Sequence, residues 1–518
     1  CVGIYDDPAN QAQPPVRLNL SGGNVAVVGS AQTGKTMLLQ TVLRGVAESY
    51  SPQQVHVYIL DFASKVMKIY ENLNHVGGVL TDVDDEKLKN FFKMMQEEIT
   101  DRKERFSQIG ISSYEAYLET APAEAMPHII IMVDNLGVFR ELFQDYEDAM
   151  LNICREGSAL GVTVIATAKQ TVGLSYKYLS NFATRLAFNC TESTEYNNVF
   201  DRCPIRPRDL PGRGLVSVDK VVYEYQAFLP FDGETESRRI EQARAFMAAM
   251  AETYGAARAR AVPSIPPVLT EAYWQSGAHD FGPYTVPVGL TYREIEPVAV
   301  DLARVGTLGI CGREGFGKSN LVRVLLSALQ RHVFDWPCRA YLLDGYDRQL
   351  AEFETCGFVE RFTVDCADFE DIVQRFEEAA EARMEILRQG GGLDSEPLLL
   401  CVVQNPQIYA QNTVDKAVSD RFKKLTGDAK QLKICFIFSA VDNNPEYSPP
   451  EIMKIARDFA QYFLLDDMAN VKLFGSGSTK FNVNDKQYRK ALALGDGYAY
   501  DARSGVERIK IVKCERSV

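Results

Sequence analysis

The sequence is poor in the features that announce several common kinds of protein. It has five histidines, His56, His75, His128, His279 and His332, scattered without an i, i+4 pair or a cluster, so an imidazole-built metal centre is not expected. No two of its eleven cysteines stand as C-x-x-C. An odd number, diluted through 518 residues, excludes the disulfide framework of a small secreted protein. Cys401 and Cys435 lie inside apolar runs, where a reduced thiol behaves as a small hydrophobe, and a reducing, cytosolic compartment is expected. No apolar run approaches the roughly 20 residues that a bilayer-crossing helix needs. Positive charge is also short: 56 Lys and Arg against 69 Asp and Glu leave a net charge of −13. That balance disfavours a protein whose main business is coating nucleic acid, while leaving room for a local basic channel. The chain opens at Cys1 in mid-motif, without a signal peptide, and is expected to be a fragment of something longer.

What is present is a repeat. The first half opens VGIYDDP, reaches NVAVVGSAQTGKTMLLQTVL (24–43) and then HVYILDF (56–62); the second opens VPVGLTY (286–292), reaches TLGICGREGFGKSNLVRVLL (307–326) and then RAYLLDG (339–345). Lys35 precedes Asp61, and Lys318 precedes Asp344, by the same 26 positions. The match runs on through an amphipathic segment in which Arg102 aligns with Arg383. It continues through the strand-like HIIIMVDN and LLCVVQN, VTVIATA and ICFIFSA, NFATRLAFN and DFAQYFLLD, and ends at the turns GRG and GDG. Short apolar runs alternating with helical segments predict α/β domains, each a mostly parallel sheet with helices on both faces. Prolines and lost periodicity put a linker over 256–280, between domains at 1–255 and 281–518.

Two stretches fit G-x-x-x-x-G-K-[ST] without a mismatch, each after a β-type run and before a helical one. They are Gly29, Ser30, Ala31, Gln32, Thr33, Gly34, Lys35 and Thr36, and Gly312, Arg313, Glu314, Gly315, Phe316, Gly317, Lys318 and Ser319. Glycines let backbone N–H groups curl around a phosphate, the lysine reaches the β and γ oxygens, and the Thr36 or Ser319 hydroxyl is offered to a cation. ATP and Mg²⁺ are the expected cofactors. The fold class is therefore two tandem P-loop NTPase domains.

Hydrolysis asks for more: an aspartate on the facing strand for the magnesium, then a glutamate that polarises the attacking water. The first half supplies Asp134, a candidate metal ligand and catalytic residue, but follows it with Asn135. An amide can hold a water yet cannot take its proton. In the second half both carboxylates are replaced, by Gln404 and Asn405. Arg185 aligns with Tyr462, so a guanidinium that would reach a phosphate across an interface exists only in the first half; a structural salt-bridging role for Arg185 competes with that reading. Weak or no hydrolysis is expected, with the second domain keeping its fold and shedding its chemistry.

The order of these motifs resembles the FtsK/SpoIIIE class of ring-forming motor ATPases, with its FtsK/RecA-like fold. Within that class, the tandem degenerate modules and the VGIYDDPANQ opening resemble the coupling ATPases of type VII secretion. The resemblance implies nucleotide contacts at Gly29–Thr36 with Asp134 and at Gly312–Ser319, and Mg²⁺ on Thr36, Asp134 and Ser319. It also implies an upstream ATPase module of the same protein, other secretion-system components, and secreted WXG100-type and toxin substrates as partners. Assembly as a homo-hexamer at full length, on the cytoplasmic side of the cell membrane, is implied as well; DNA is not expected as a partner. Active motors of the class usually carry glutamine where this chain has Ala168. A substrate-recruiting surface on 281–518 is the expected use of the degenerate domain. A DNA-translocating motor and a scaffold that binds no nucleotide are the competing readings.

Overall fold

The computed structural model describes residues 1–120, 126–275, 281–410, 415–441, 451–459, 461–470, 491–501 and 505–515. The chain divides into two compact units, Cys1–Ser264 and Ile265–Val518.

The strands of the first unit are β1 (Gly3–Tyr5), β2 (Pro15–Val16), β3 (Asn24–Val28), β4 (Val55–Asp61), β5 (Val76–Leu80), β6 (His128–Asp134), β7 (Val162–Ala168), β8 (Phe182–Phe188), β9 (Arg213–Val218) and β10 (Val221–Ala227). They form one sheet in the order β2-β1-β10-β9-β8-β3-β7-β6-β4-β5. From β8 to β5 every pairing is parallel, and the β9, β10, β1, β2 edge is antiparallel.

The second unit has β11 (Leu269–Thr270), β12 (Thr285–Thr291), β13 (Pro297–Asp301), β14 (Thr307–Gly312), β15 (Cys338–Leu343), β16 (Val359–Thr363), β17 (Leu398–Val403), β18 (Ile434–Val441), β19 (Gln461–Leu465), β20 (Asp496–Asp501) and β21 (Gly505–Lys513). Their order is β13-β12-β21-β20-β19-β14-β18-β17-β15-β16, with β11 added beside β21. That is the first sheet repeated strand for strand, β3 becoming β14, β6 becoming β17 and β8 becoming β19. The duplication read from spacing is thus a duplication of topology.

Each sheet is covered on both faces because its central strands are apolar on both. Successive β3 side chains alternate, Val25 and Val27 joining one buried cluster and Ala26 and Val28 the other, as a period of two requires. The helix after β3, Lys35–Ser49, buries Leu38, Leu39, Val42, Leu43 and Val46 at helical spacing, and Lys318–Arg331 repeats this with Leu321, Val322, Leu325, Leu326 and Leu329. No helix among the described residues is long and apolar enough to cross a membrane.

The aligned arginines on the two long helices, Asp85–Ile109 and Asp368–Arg388, do the same work. Arg102, fully buried, donates to the carbonyls of Leu160 (2.7 Å) and Pro127 (2.7 Å) and pairs with Glu98 at 2.8 Å. Arg383 donates to those of Leu432 (2.7 Å), Lys433 (2.9 Å) and Pro397 (2.5 Å). Each ties a helix to two strand entrances. Arg102→Ala is expected to cost about 3–5 kcal/mol, because it takes the guanidinium from buried carbonyls and from Glu98, which keeps Arg260 at 3.2 Å. Urea unfolding measures this, and a loss below about 1 kcal/mol, the worth of one ordinary hydrogen bond, would refute the role.

The stretch expected as a linker, 256–280, is shared between the units. Its start straps the first unit: Ala259 N–H donates to Asn74 O at 2.8 Å, Val262 N–H to Gly77 O at 2.9 Å, and Tyr58 Oη to Arg260 O at 2.9 Å. Further on, Leu269 and Thr270 pair with Val512 and Lys513 of the second sheet.

Candidate functional site

In the first unit β3 ends at Val28 and the chain turns back into a helix at Lys35, so residues 29–34 loop over the C-terminal edge of the sheet. Gly29 N–H donates to Ala168 O at 3.1 Å and Ser30 N–H to Asn189 O at 2.9 Å, which anchors the loop between β7 and β8. Gly29 has no room for a side chain: a Cβ there would lie 2.8 Å from Phe188 Cβ and 2.9 Å from Thr33 Oγ1. Gly34 adopts φ 112°, ψ 7° immediately before the helix, a left-handed conformation that glycine reaches without steric cost. Lys35 Nζ donates to the loop's own carbonyls, Gly29 O at 2.7 Å and Ser30 O at 2.6 Å. Burial pushes the Lys35 ammonium below its ordinary pKa, and Asp134 opposes that shift.

Beside the lysine, Asp134 closes a hydrogen-bonded chain. Thr36 Oγ1 donates to Asp134 Oδ2 at 2.7 Å and Thr167 Oγ1 donates to Asp134 Oδ1 at 2.6 Å. Asp134 is 1% exposed, and burial pushes its carboxyl above the usual range; the Thr167 and Thr36 hydroxyls pull it down, and Asp61 on the adjacent strand raises it further. A hydroxyl and a carboxylate next to an ammonium and a ring of backbone amides is the donor set a magnesium triphosphate needs: hard oxygens for the cation, N–H groups for the phosphates. Asn135 sits at φ 73°, ψ 69°, at the start of the helix Leu136–Leu142, its N–H held by Thr167 Oγ1 at 2.9 Å. That left-handed geometry favours asparagine among residues with a side chain.

The second cradle keeps the phosphate end. Lys318 Nζ donates to Gly312 O at 2.7 Å and Arg313 O at 3.1 Å, and Gly317 has φ 102° before the helix. Its cation end is different at Ser319, the expected metal ligand. The Ser319 hydroxyl is taken up by amides: it bonds Gln349 Oε1 and accepts from Gln404 Nε2 at 2.5 Å. Asn405 is a structural residue, its Nδ2 donating to Asp344 O at 3.0 Å and Val364 O at 3.1 Å and its Oδ1 accepting from Gln407 N–H at 3.0 Å. Among the described residues no group of three or more His, Cys, Asp or Glu is placed to hold a metal on its own; the first cradle's metal would depend on bound phosphate to complete its shell.

Residues 4–208 match the FtsK/SpoIIIE family. The chain belongs to that family. The ESX secretion system protein EccC of Geobacillus thermodenitrificans is 31% identical to it over 359 residues, 68% of this chain and 24% of that protein. The ESX secretion system protein YukB of Bacillus subtilis is 24% identical over 450 residues, 86% of this chain and 30% of that one. The chain therefore spans less than a third of the length of these relatives. Among solved structures, EssC (ATPases 2 and 3) from Geobacillus thermodenitrificans superposes with a TM-score of 0.78 at 26% identity, covering 99% of this chain and 96% of that one. Thermomonospora curvata EccC (ATPases 2 and 3), solved in complex with a signal sequence peptide, superposes at 0.66 with 22% identity, covering 99% and 92%.

Within this FtsK/SpoIIIE framework the structure brings Lys35, Thr36 and Asp134 together and keeps Arg185 apart. The Arg185 guanidinium donates to three carbonyls of its own unit, Phe182 (3.2 Å), Val199 (3.1 Å) and Leu179 (3.0 Å). Its counterpart Tyr462 lies opposite Gly309 in the sheet, as Arg185 lies opposite Ala26. A Cβ at Gly309 would meet the Tyr462 ring at 2.1 Å, so the smaller residue and the aromatic ring changed together. Two functional residues escaped the sequence reading: Thr167, which holds both Asp134 and the Asn135 amide, and Gln349.

Proposed function

We propose that the first unit of this FtsK/SpoIIIE-family chain binds ATP with magnesium and turns it over slowly or not at all, within a coupling ATPase of a type VII protein secretion machine. Lys35 and the amides of Gly29–Thr36 hold the phosphates; Thr36 ligates the cation, and Asp134 orients it from a position fixed by Thr167. Bound magnesium supplies the positive charge that draws the phosphate oxygens together. The chain's own shortfall is a base, since Asn135 holds a water without accepting its proton. The observation that carries the reading is the closed Thr167–Asp134–Thr36 chain beside a half-buried Lys35.

The second unit, on this reading, uses Gly312–Ser319 to hold nucleotide that stabilises it and offers a surface to segments of secreted substrates of the WXG100 or toxin kind. The upstream module, the hexameric ring and the cytoplasmic face of the membrane belong to the same proposal. The kinship with ESX and type VII secretion proteins supports it.

The test is nucleotide titration with magnesium on the purified chain, with phosphate release followed in parallel. Lys35→Ala is expected to remove the magnesium-dependent binding, and phosphate release from the unmodified chain to stay near background. Brisk turnover that disappears in Asp134→Ala would overturn the slow-hydrolysis reading.

A further inference from the structure

We propose that the second cradle takes nucleotide phosphates without magnesium, because an amide cluster closes the position at which the first cradle would hold the cation. The inference rests on the nucleotide-binding reading above and names what separates the two sites.

Three positions differ in concert. Thr36 and Asp134 become Ser319 and Gln404. The third is found by the backbone: Met67 N–H donates to Asp61 Oδ2 at 3.1 Å, and Leu350 N–H donates to Asp344 Oδ2 at 2.7 Å. The residues just before these donors therefore correspond, and Val66 of the first unit becomes Gln349 in the second. An apolar side chain, which has no polar atom to offer, is replaced by an amide that bonds Ser319 and Gln404.

The orientation of the amides is fixed from outside the niche. Gln349 Nε2 donates to the Asp347 carboxylate, which turns Gln349 Oε1 toward Ser319 and Gln404. Two acceptors cannot face each other, so Gln404 must present its Nε2, and it donates to Ser319 Oγ at 2.5 Å and to Gln349 Oε1 at 3.2 Å. Turning the Gln404 amide over would set oxygen against oxygen; turning Gln349 over would set oxygen against the Asp347 carboxylate. The niche is thus filled by an N–H, by a hydroxyl oxygen engaged by that N–H, and by Gln349 Oε1, which accepts from both the Ser319 hydroxyl and the Gln404 N–H. Magnesium requires oxygen lone pairs in a tight octahedron at about 2.0–2.1 Å, and a donor hydrogen repels it.

Two buried polar atoms mark what was given up. Gln404 is 6% exposed and its Oε1 has no partner among the described residues, and the hydroxyl of Ser439, the counterpart of Thr167, is likewise buried without a partner among them. In the first unit those places belong to Asp134 and the hydroxyl that holds it. The phosphate end carries no such change, with Lys318 seated as Lys35 is, Gly315 at positive φ with open space around it and Gly317 at positive φ with Asn320 Cβ 3.9 Å from where its Cβ would lie.

The experiment uses the Lys35→Ala chain, in which the second cradle alone binds, with ATP titrated first in EDTA and then in millimolar magnesium. Affinity expressed on total ATP is expected to weaken about tenfold or more in magnesium, because only the small unchelated fraction is competent. Lys318→Ala added to that chain should remove binding in both buffers. Adding Gln404→Asp with Gln349→Val instead should reverse the sign, so that magnesium tightens binding. Equal or tighter binding of the Lys35→Ala chain in magnesium, or no binding in either buffer, overturns the proposal. The Lys318→Ala chain with Lys35 intact reads the first cradle by itself, so a failure of the first-site reading shows there and not here.

Discussion

Asp134→Asn, measured in the Lys318→Ala background, is expected to weaken magnesium–ATP binding about 10- to 100-fold, the usual cost of removing a carboxylate that orients a metal's ligands. The unfolding midpoint of the ligand-free chain should stay level or rise. The two effects part because Asp134 is costly to the fold and useful to the ligand. Its carboxyl is raised by burial, so the folded pKa lies above the unfolded one. Its contribution to stability is then present below the unfolded pKa and lost as pH climbs through the raised folded value. An amide removes that loss while keeping an acceptor for one of the two hydroxyls. Binding runs the other way. It needs the ionised form, so affinity in the unmodified chain should fall on acidification, beginning above the ordinary carboxylate range, and Asp134→Asn should flatten that limb. Titration at several pH values alongside thermal unfolding tests both halves; an asparagine variant that binds magnesium–ATP normally sinks the assignment.

How far the site could be read from sequence follows from where its bonds run. The cradles were legible because eight consecutive residues carry them, and Asp134 because it ends the apolar run HIIIMVD that follows the first cradle. The repeat was legible because Lys35 to Asp61 and Lys318 to Asp344 are equally spaced. Gln349 was not legible: it meets Ser319 30 positions away, from a turn whose path no periodicity specifies, and its counterpart Val66 looks like any apolar residue. Thr167 was hidden inside VTVIATA, where a threonine reads as an ordinary β-former. The two asparagines looked equivalent in the aligned strands. The backbone separates them, since Asn135 holds a left-handed turn while Asn405 ties Asp344 and Val364 together through its side chain. Arg185 shows the same limit. Its alignment with Tyr462 suggested a reach toward phosphate, and no pattern in the sequence shows that its guanidinium donates to three carbonyls of its own unit.

That difference between the asparagines sets the remaining expectation. Asn135→Glu should raise ATP hydrolysis by the first unit about 10²–10⁴-fold, the usual contribution of a positioned general base. The backbone at this position is pinned by the Thr167 hydroxyl on the Asn135 N–H at 2.9 Å, so a new carboxylate would emerge next to Asp134. Glutamate tolerates the left-handed conformation less well than asparagine, and the variant should lose about 1–2 kcal/mol of stability. Asn135→Ala is the control, since it carries a comparable backbone strain without a base. If Asn135→Glu and Asn135→Ala release phosphate at the same rate, a different group limits the chemistry, and Ala168, at the end of the neighbouring strand, is the next position to change. Asn405→Glu should give no hydrolysis at all. Asn405 is fully buried, and replacing it removes the donor shared by two carbonyls while inserting a charge, a loss of about 3 kcal/mol or more. The pair of variants therefore separates a site that lacks one group from a site whose strand end has been rebuilt for packing: the first gains rate and gives up little stability, the second gains nothing and gives up much.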